Sequence, residues 1–269
     1  MRQDHGIAGR RSEGIRLALT APLTERLATD LYVHDCVIRF FGFKLHRRMT
    51  VIRLEDGRLF VHSPNPLDSQ VRQQLDALGD VAFVVAPNKM HNCALDEFAQ
   101  AYPSATFFAA PGLRERRPDL HFDRVLSDQP EPEWEANLDQ AALAGNDFFS
   151  EIVFLHRATN TLIVTDFLEN LCRESLSPWG RFVTRVFGVY GKPAPSPEHS
   201  LYLSDPDALE DSLRRVREWQ FDRIVLAHGR CIESDGRQVL DGVVKELLKR
   251  ARRRSSATRW LYRRLAKLQ

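Results

Sequence analysis

The sequence predicts a layered α/β protein folded as one large domain, and three observations lead there. The stretch 49–110 reads as β-hairpin, helix, strand, helix, strand, the alternation that builds sheets covered by helices. Three short apolar runs stop abruptly at polar groups: Thr161-Leu-Ile-Val-Thr-Asp166, Arg223-Ile-Val-Leu-Ala-His228-Gly229, and Val81-Ala-Phe-Val-Val-Ala-Pro87, which continues through Asn88, Lys89 and Met90 to His91. The apolar share is 43% of 269 residues, enough for a single large core.

Residues 1–29 are polar and expected to be loosely ordered, with Ile15, Leu17, Leu19, Leu23 and Leu27 available to pack on the body. From 31 to 43 β-branched and aromatic residues dominate. Runs 49–54 and 59–62 flank Glu55-Asp56-Gly57-Arg58, and an Asp-Gly between two apolar runs is a strong hairpin signal. The second strand ends at His62-Ser63-Pro64-Asn65-Pro66, where prolines cannot donate to a ladder. Val71, Leu75 and Leu78 then recur at helical spacing, with Asp68 or Ser69 as cap and Gly79 as stop. The buried-strand run 81–87 follows, then a helix over 94–102 halted by Pro103, then a strand over 105–110. Residues 111–145 are charged and turn-rich, and Asp128 to Trp134 reads as an acidic linker. A second hairpin pairs 148–156 with 161–166 across Arg157-Ala-Thr-Asn160. The stretch 167–199 is apolar but irregular, suited to a lid, a substrate wall or a homodimer contact. Asp205-Pro206 opens the clearest helix, with Leu209, Leu213 and Val216 on one face. The last helix of the body is expected over 239–248, and Trp260, Leu261, Leu265 and Leu268 give the tail a helical apolar stripe.

Composition removes several function classes. With 38 basic and 36 acidic residues the net charge is +2, so no global field favours nucleic acid. The charge is uneven, because the stretch from Lys245 to Gln269 carries ten Lys or Arg and one acid, Glu246. That tail suits an anionic membrane surface or an acidic partner. No apolar run reaches the roughly 18 residues needed to span a bilayer, and no signal-peptide core follows Arg10-Arg11, so a cytoplasmic location is expected. The four cysteines, Cys36, Cys93, Cys172 and Cys231, are scattered and read as reduced thiols. There is no Gly-x-Ser-x-Gly elbow, phosphate-binding Gly-rich loop, dinucleotide fingerprint or His-Glu-x-x-His helix.

The chemistry is expected at the ends of the three runs. A carboxylate at the end of a buried strand has to be hydrogen-bonded, paired or ligating, because an isolated buried charge is costly. Strand ends in layered α/β folds are where ligands gather, which points to Asp166, His228 and His91. The bland alternatives are a helix cap or an Arg partner for Asp166 and a carbonyl-bound ring for His228. For Glu151, a solvated strand-start carboxylate is the alternative to ligation, and His62 reads as structural. His5, His34, His46, His121, His156 and His199 show no partner pattern. Asn88 and Asn92 suit loop stabilisation first and substrate orientation second.

Hairpin-built sheets, an Asp at one strand end and a later His-Gly resemble the metallo-β-lactamase fold. Met-Thr-Val at 49–51, His-Ser-Pro at 62–64, Ala-Pro-Asn…His at 86–91, Thr-Leu-Ile-Val-Thr-Asp at 161–166 and Ala-His-Gly at 227–229 resemble an uncharacterised, degenerate branch of it. The resemblance implies a four-layer αββα sandwich over 30–250, followed by an extended basic helical tail over 251–269. The superfamily's His-x-His-x-Asp-His run falls on Pro87, Lys89, His91 and Asn92, so its first two histidines are absent and its Asp is a His. It implies Asp166 as the bridging carboxylate, His228 as the late His ligand, and Glu151 near the place of the middle His. The expected metal set is therefore His91, Glu151, Asp166 and His228, with Asp166 and His228 also catalytic. They would hold one divalent ion, zinc first and iron or manganese as alternatives, while the Lys89 ammonium disfavours a second. The expected function is mononuclear metal-dependent hydrolysis of a small ester, lactone, amide or phosphodiester. The competing reading is a non-catalytic relative whose decayed site serves binding or scaffolding. Convergence of His91, Asp166 and His228 is the geometric test.

Overall fold

A computed structural model describes residues 22–25, 29–40, 43–173 and 176–254. The expectations for Ile15, Leu17, Leu19 and Leu27, and for residues 255–269 of the tail, lie outside the described residues. Among the described residues eleven strands form two sheets. The first contains β1 (Thr24–Glu25), β2 (Leu31–Phe40), β3 (Phe43–Arg53), β4 (Arg58–His62), β5 (Asp80–Ala86), β6 (Thr106–Ala109) and β7 (Arg124–Val125), in that spatial order. The second contains β8 (Leu138–Ala142), β9 (Ile152–His156), β10 (Thr161–Val164) and β11 (Arg223–Leu226), ordered β11-β10-β9-β8. The helices are α1 (Ser69–Leu78), α2 (Leu95–Ala101), α3 (Leu113–Arg116), α4 (Pro178–Val186), α5 (Pro197–Tyr202), α6 (Pro206–Glu218) and α7 (Gly236–Arg252).

Local chemistry explains where elements start and stop. Gly57 takes φ +85° in the turn between β3 and β4, a conformation a side chain would disfavour. Asp68 caps α1 by accepting from the Val71 N–H, and Asp205 caps α6 by accepting from Ala208, with Pro206 in the first turn. Ser177 caps α4 through the Gly180 N–H.

Three apolar clusters define four layers. Phe60, Phe83 and Phe108 of the first sheet meet Leu138, Phe154, Ile163 and Val225 of the second in a core between the sheets. Val71 and Leu75 of α1 and Leu95 and Phe98 of α2 cover the outer face of the first sheet. Leu209, Leu213 and Val216 of α6 and Leu240 and Val244 of α7 cover the outer face of the second. The order is helix, sheet, sheet, helix, the αββα sandwich expected.

Several elements depart from the sequence reading. Trp134, assigned to a linker, is fully buried and meets Phe60, Phe83 and Phe108 edge-to-face, with ring centroids 5.0, 5.4 and 4.7 Å away. β8 lies in a stretch read as turn-rich, α4 and α5 in one read as irregular, and β1 in a segment read as loosely ordered. The last body helix runs from Gly236 to Arg252, longer at both ends than 239–248.

Pairing register positions the site. β10 and β11 run parallel with Val164 opposite Leu226, so two further residues carry the chain to Asp166 and His228 side by side. The Pro87 carbonyl accepts from Ile152 N–H at 2.8 Å and Lys89 N–H donates to Phe149 at 3.0 Å, which ties the loop after β5 to the start of β9. Both sheets therefore present their loops at one edge.

Candidate metal centre

His91, Asp166 and His228 converge at that edge, all buried. His91 Nε2 lies 3.2 Å from His228 Nε2 and 3.4 Å from Asp166 Oδ2, and His228 Nε2 lies 3.4 Å from Asp166 Oδ1. Among the described residues these three form the group of His, Cys, Asp or Glu whose donor atoms all lie within 4.8 Å of one another.

Each side chain is aimed by a partner behind it. His228 Nδ1 lies 2.7 Å from the His46 carbonyl, which only accepts, so Nδ1 carries a proton and Nε2 is the atom the ring offers toward Asp166. His91 Nδ1 lies 2.5 Å from Ser63 Oγ. Ser63 holds that position in a left-handed backbone, φ +57°, an uncommon conformation for a residue with a side chain. Asn88 links the two loops: its amide donates to Asp166 Oδ2 at 2.7 Å and Thr165 Oγ1 at 2.8 Å, while its carbonyl accepts from Met90 and His91 N–H groups at 2.8 and 2.9 Å. The loop role expected of Asn88 is present, together with a bond to Asp166 that its sequence position did not announce.

Glu151 is not in the cluster, which corrects the expected four-residue set to three. Its two carboxylate oxygens accept the backbone N–H groups of Thr165 at 2.7 Å, Asp166 at 3.0 Å and Phe167 at 2.8 Å. A carboxylate at the start of β9 thus terminates β10 and fixes the turn that carries Asp166. Lys89 also departs from expectation: its ammonium donates to the Asp147 carbonyl at 2.5 Å instead of occupying a second metal position. Asn92 is engaged with the Lys89 carbonyl and with Arg117. His62 is buried in contact with the Phe154 ring, as a structural residue would be.

Burial and pairing set the proton affinities. Burial, opposed by Asp166, pulls His91 down to about 4, so its ring is neutral at pH 7. Burial also works against charge on His228, but Asp166, Glu169 and the His46 carbonyl outweigh it and raise that ring above the ordinary histidine value. Asp166 resists burial because both histidines favour its charge, and it stays well below the usual carboxylate range. Burial pushes Glu169, three residues further along, up to about 8, and this group escaped the sequence reading. Nothing in the local pattern around Glu169 marks it; it is buried, and its backbone pairs with Ala194, far along the chain.

The fold has many solved counterparts. DIM-1 metallo-beta-lactamase superposes with TM-score 0.58 at 13% identity, covering 87% of this chain and 99% of that one. The metallo-beta-lactamase FIM-1 from Pseudomonas aeruginosa, in its mono-zinc form, gives 0.59 at 11% identity, with 86% and 96% covered. The metal-soaked Flv1 flavodiiron core from Synechocystis sp. PCC6803 gives 0.60 at 12% identity over 88% of this chain and 61% of that one. At these identities the likeness establishes the metallo-β-lactamase fold. No curated protein matches the sequence. Residues 30–176, more than half of the 269, match the family model described as "Domain of unknown function (DUF4336)", and the chain belongs to that family.

Proposed function

We propose that the protein is a mononuclear metal-dependent hydrolase, with His91, Asp166 and His228 as the ligands. The observation that carries this is the meeting of His91 Nε2, His228 Nε2 and the Asp166 carboxylate in one buried site. With His228 Nδ1 fixed as a donor, Nε2 is the atom left to face the centre, 3.2 Å from His91 Nε2 and beside a carboxylate. Such an arrangement calls for positive charge at its centre. Donors on a tetrahedral zinc at roughly 2.0–2.1 Å stand about 3.3 Å apart, which matches separations of 3.2, 3.4 and 3.4 Å. Two His and one carboxylate suit zinc, and iron or manganese would also accept this set.

A bound ion of this kind polarises substrate oxygens and brings the pKa of water toward about 7. The chain's own part is orientation: the His46 carbonyl fixes the His228 tautomer, Ser63 steadies His91, and Asn88 holds one Asp166 oxygen. The substrate class that fits such chemistry is a small ester, lactone, amide or phosphodiester.

A second reading has its own observation. Because His228 is raised, a proton on its ring can satisfy Asp166 without a metal, giving a non-catalytic network behind a binding surface. Elemental mass spectrometry of protein purified without a metal-affinity step separates the two. About one metal per chain in wild type, lost in His91→Ala, Asp166→Ala and His228→Ala, supports the hydrolase and warrants a substrate screen. No metal in wild type after incubation with zinc, iron or manganese leaves the proton-bridged network standing.

A further inference from the structure

Helix α4 is amphipathic the wrong way round. The residues it turns inward are small, Gly180 and Thr184, while Trp179, Phe182, Val186 and the adjoining Phe187 stand 58%, 57%, 68% and 57% exposed. Trp179 and Phe182 stack on each other in the open, ring centroids 5.5 Å apart. The helix is nonetheless anchored at both ends: Leu176 before it bridges Leu45 of β3, and the Gly191 N–H after it donates to the Leu171 carbonyl at 2.7 Å. A fixed helix showing large aromatics to solvent marks a contact surface.

The charge around this face says what it contacts. Residues 176–192 contain Arg181, Arg185 and Lys192 and no acid. Phe187 borders a largely apolar cavity of about 490 Å³, lined also by Leu201, Val243, Leu247, Arg250 and Arg254. Two acids, Glu198 and Glu246, line it too, and Glu246 is engaged with Lys249 and Arg250 at 3.7 and 4.0 Å. A two-fold contact between copies would bring Arg181 and Arg185 of both patches into one interface with no acid from 176–192 to offset them. Apolar side chains rimmed by cations match an anionic lipid surface instead.

We propose that α4 docks the protein on an anionic bilayer, with Trp179, Phe182, Val186 and Phe187 entering the interface and Arg181, Arg185 and Lys192 meeting headgroup phosphates. The basic sequence after Lys245 adds charge of the same sign. Docking is independent of any hydrolytic step, so it stands or falls apart from the metal.

The test is sedimentation of the full chain with vesicles of phosphatidylcholine alone and of phosphatidylcholine mixed with phosphatidylglycerol, at low and high salt. Wild type is expected to bind the mixed vesicles, to bind the neutral ones far less, and to release at high salt. The double variant Trp179→Ser/Phe182→Ser, which alters only exposed side chains, is expected to lower the partition coefficient by at least about tenfold. Its circular dichroism should equal that of wild type. Absence of wild-type binding, equal binding to both vesicle types, or full binding by the double variant would overturn the proposal. So would a dimer in sedimentation equilibrium that the double variant converts to monomer, because the face would then belong to a second copy.

Discussion

Asn88 and Glu151 are outside the proposed ligand set, yet both hold Asp166 in place. Replacing Glu151 with Ala leaves three backbone N–H groups at the Thr165–Phe167 turn without their acceptor, an expected loss of about 3–5 kcal/mol in denaturant unfolding. Asn88→Ala keeps the fold but frees one Asp166 oxygen and the His91 loop, and metal affinity measured by competition titration should fall roughly 10–100-fold. The pH dependence of that affinity should follow His228. A metal must displace its proton, and the ring's pKa is raised, so apparent affinity falls by about tenfold per unit as pH drops below that pKa. His91, pulled down to about 4, adds a further loss only in more acidic solution. An affinity flat between about pH 5 and 8 would remove His228 from the ligand set.

At the scale of elements, the loop after β11 is built around close contact. Gly229 takes φ +86°, and a Cβ there would collide with the Asn170 carbonyl, against which the Gly229 backbone bridges. Gly229→Ala should therefore destabilise the protein by at least about 2 kcal/mol and shift His228, lowering metal content more than a surface substitution of equal cost. The same scale shows what was legible in the sequence. The Asp-Gly hairpin, the Asp68 and Asp205 caps and the runs ending in Asp166 and His228 were readable because short-range chemistry decides them. β8 was not, since Leu-Asp-Gln-Ala-Ala carries no β-branched residue and becomes a strand only by pairing with β9. α4 carried a readable signal that was missed: Trp179, Phe182, Val183 and Val186 recur at helical spacing behind a Ser177-Pro178 start. Glu151 read as a substitute ligand because it lies near the fold's usual His position, and only the turn it caps, fourteen to sixteen residues away, reveals its role.

For the whole molecule the question is what holds one sheet to the other at the edge where the candidate metal centre lies, and Arg48 on β3 is the main polar tie. Its Nη1 donates to the Leu226 carbonyl at 2.7 Å, the Gly229 carbonyl at 3.0 Å and Cys231 Sγ at 3.2 Å, all on the chain of the second sheet. On the first sheet it pairs with Asp35, Nε to Oδ1 at 2.7 Å and Nη2 to Oδ2 at 3.0 Å. Burial alone would raise Asp35, but His46 and Arg48 more than reverse it and bring the carboxyl to about 2. A carboxylate depressed from 3.8 to about 2 contributes stability that is present above 3.8 and is lost as pH falls toward 2. Its share is at most about 2 kcal/mol. Arg48→Met should cost about 3–5 kcal/mol near neutral pH, since it strips a buried cation from three acceptors and leaves Asp35 half paired. Part of that cost should disappear in acid, because the contribution of the Asp35 pair to wild-type stability declines as pH falls from 3.8 toward 2. Urea unfolding of both proteins near pH 6 and near pH 3 measures the difference. If the gap between wild type and Arg48→Met is the same at both values, the bonds to Leu226 and Gly229 carry the tie and the Asp35 pair adds nothing to it.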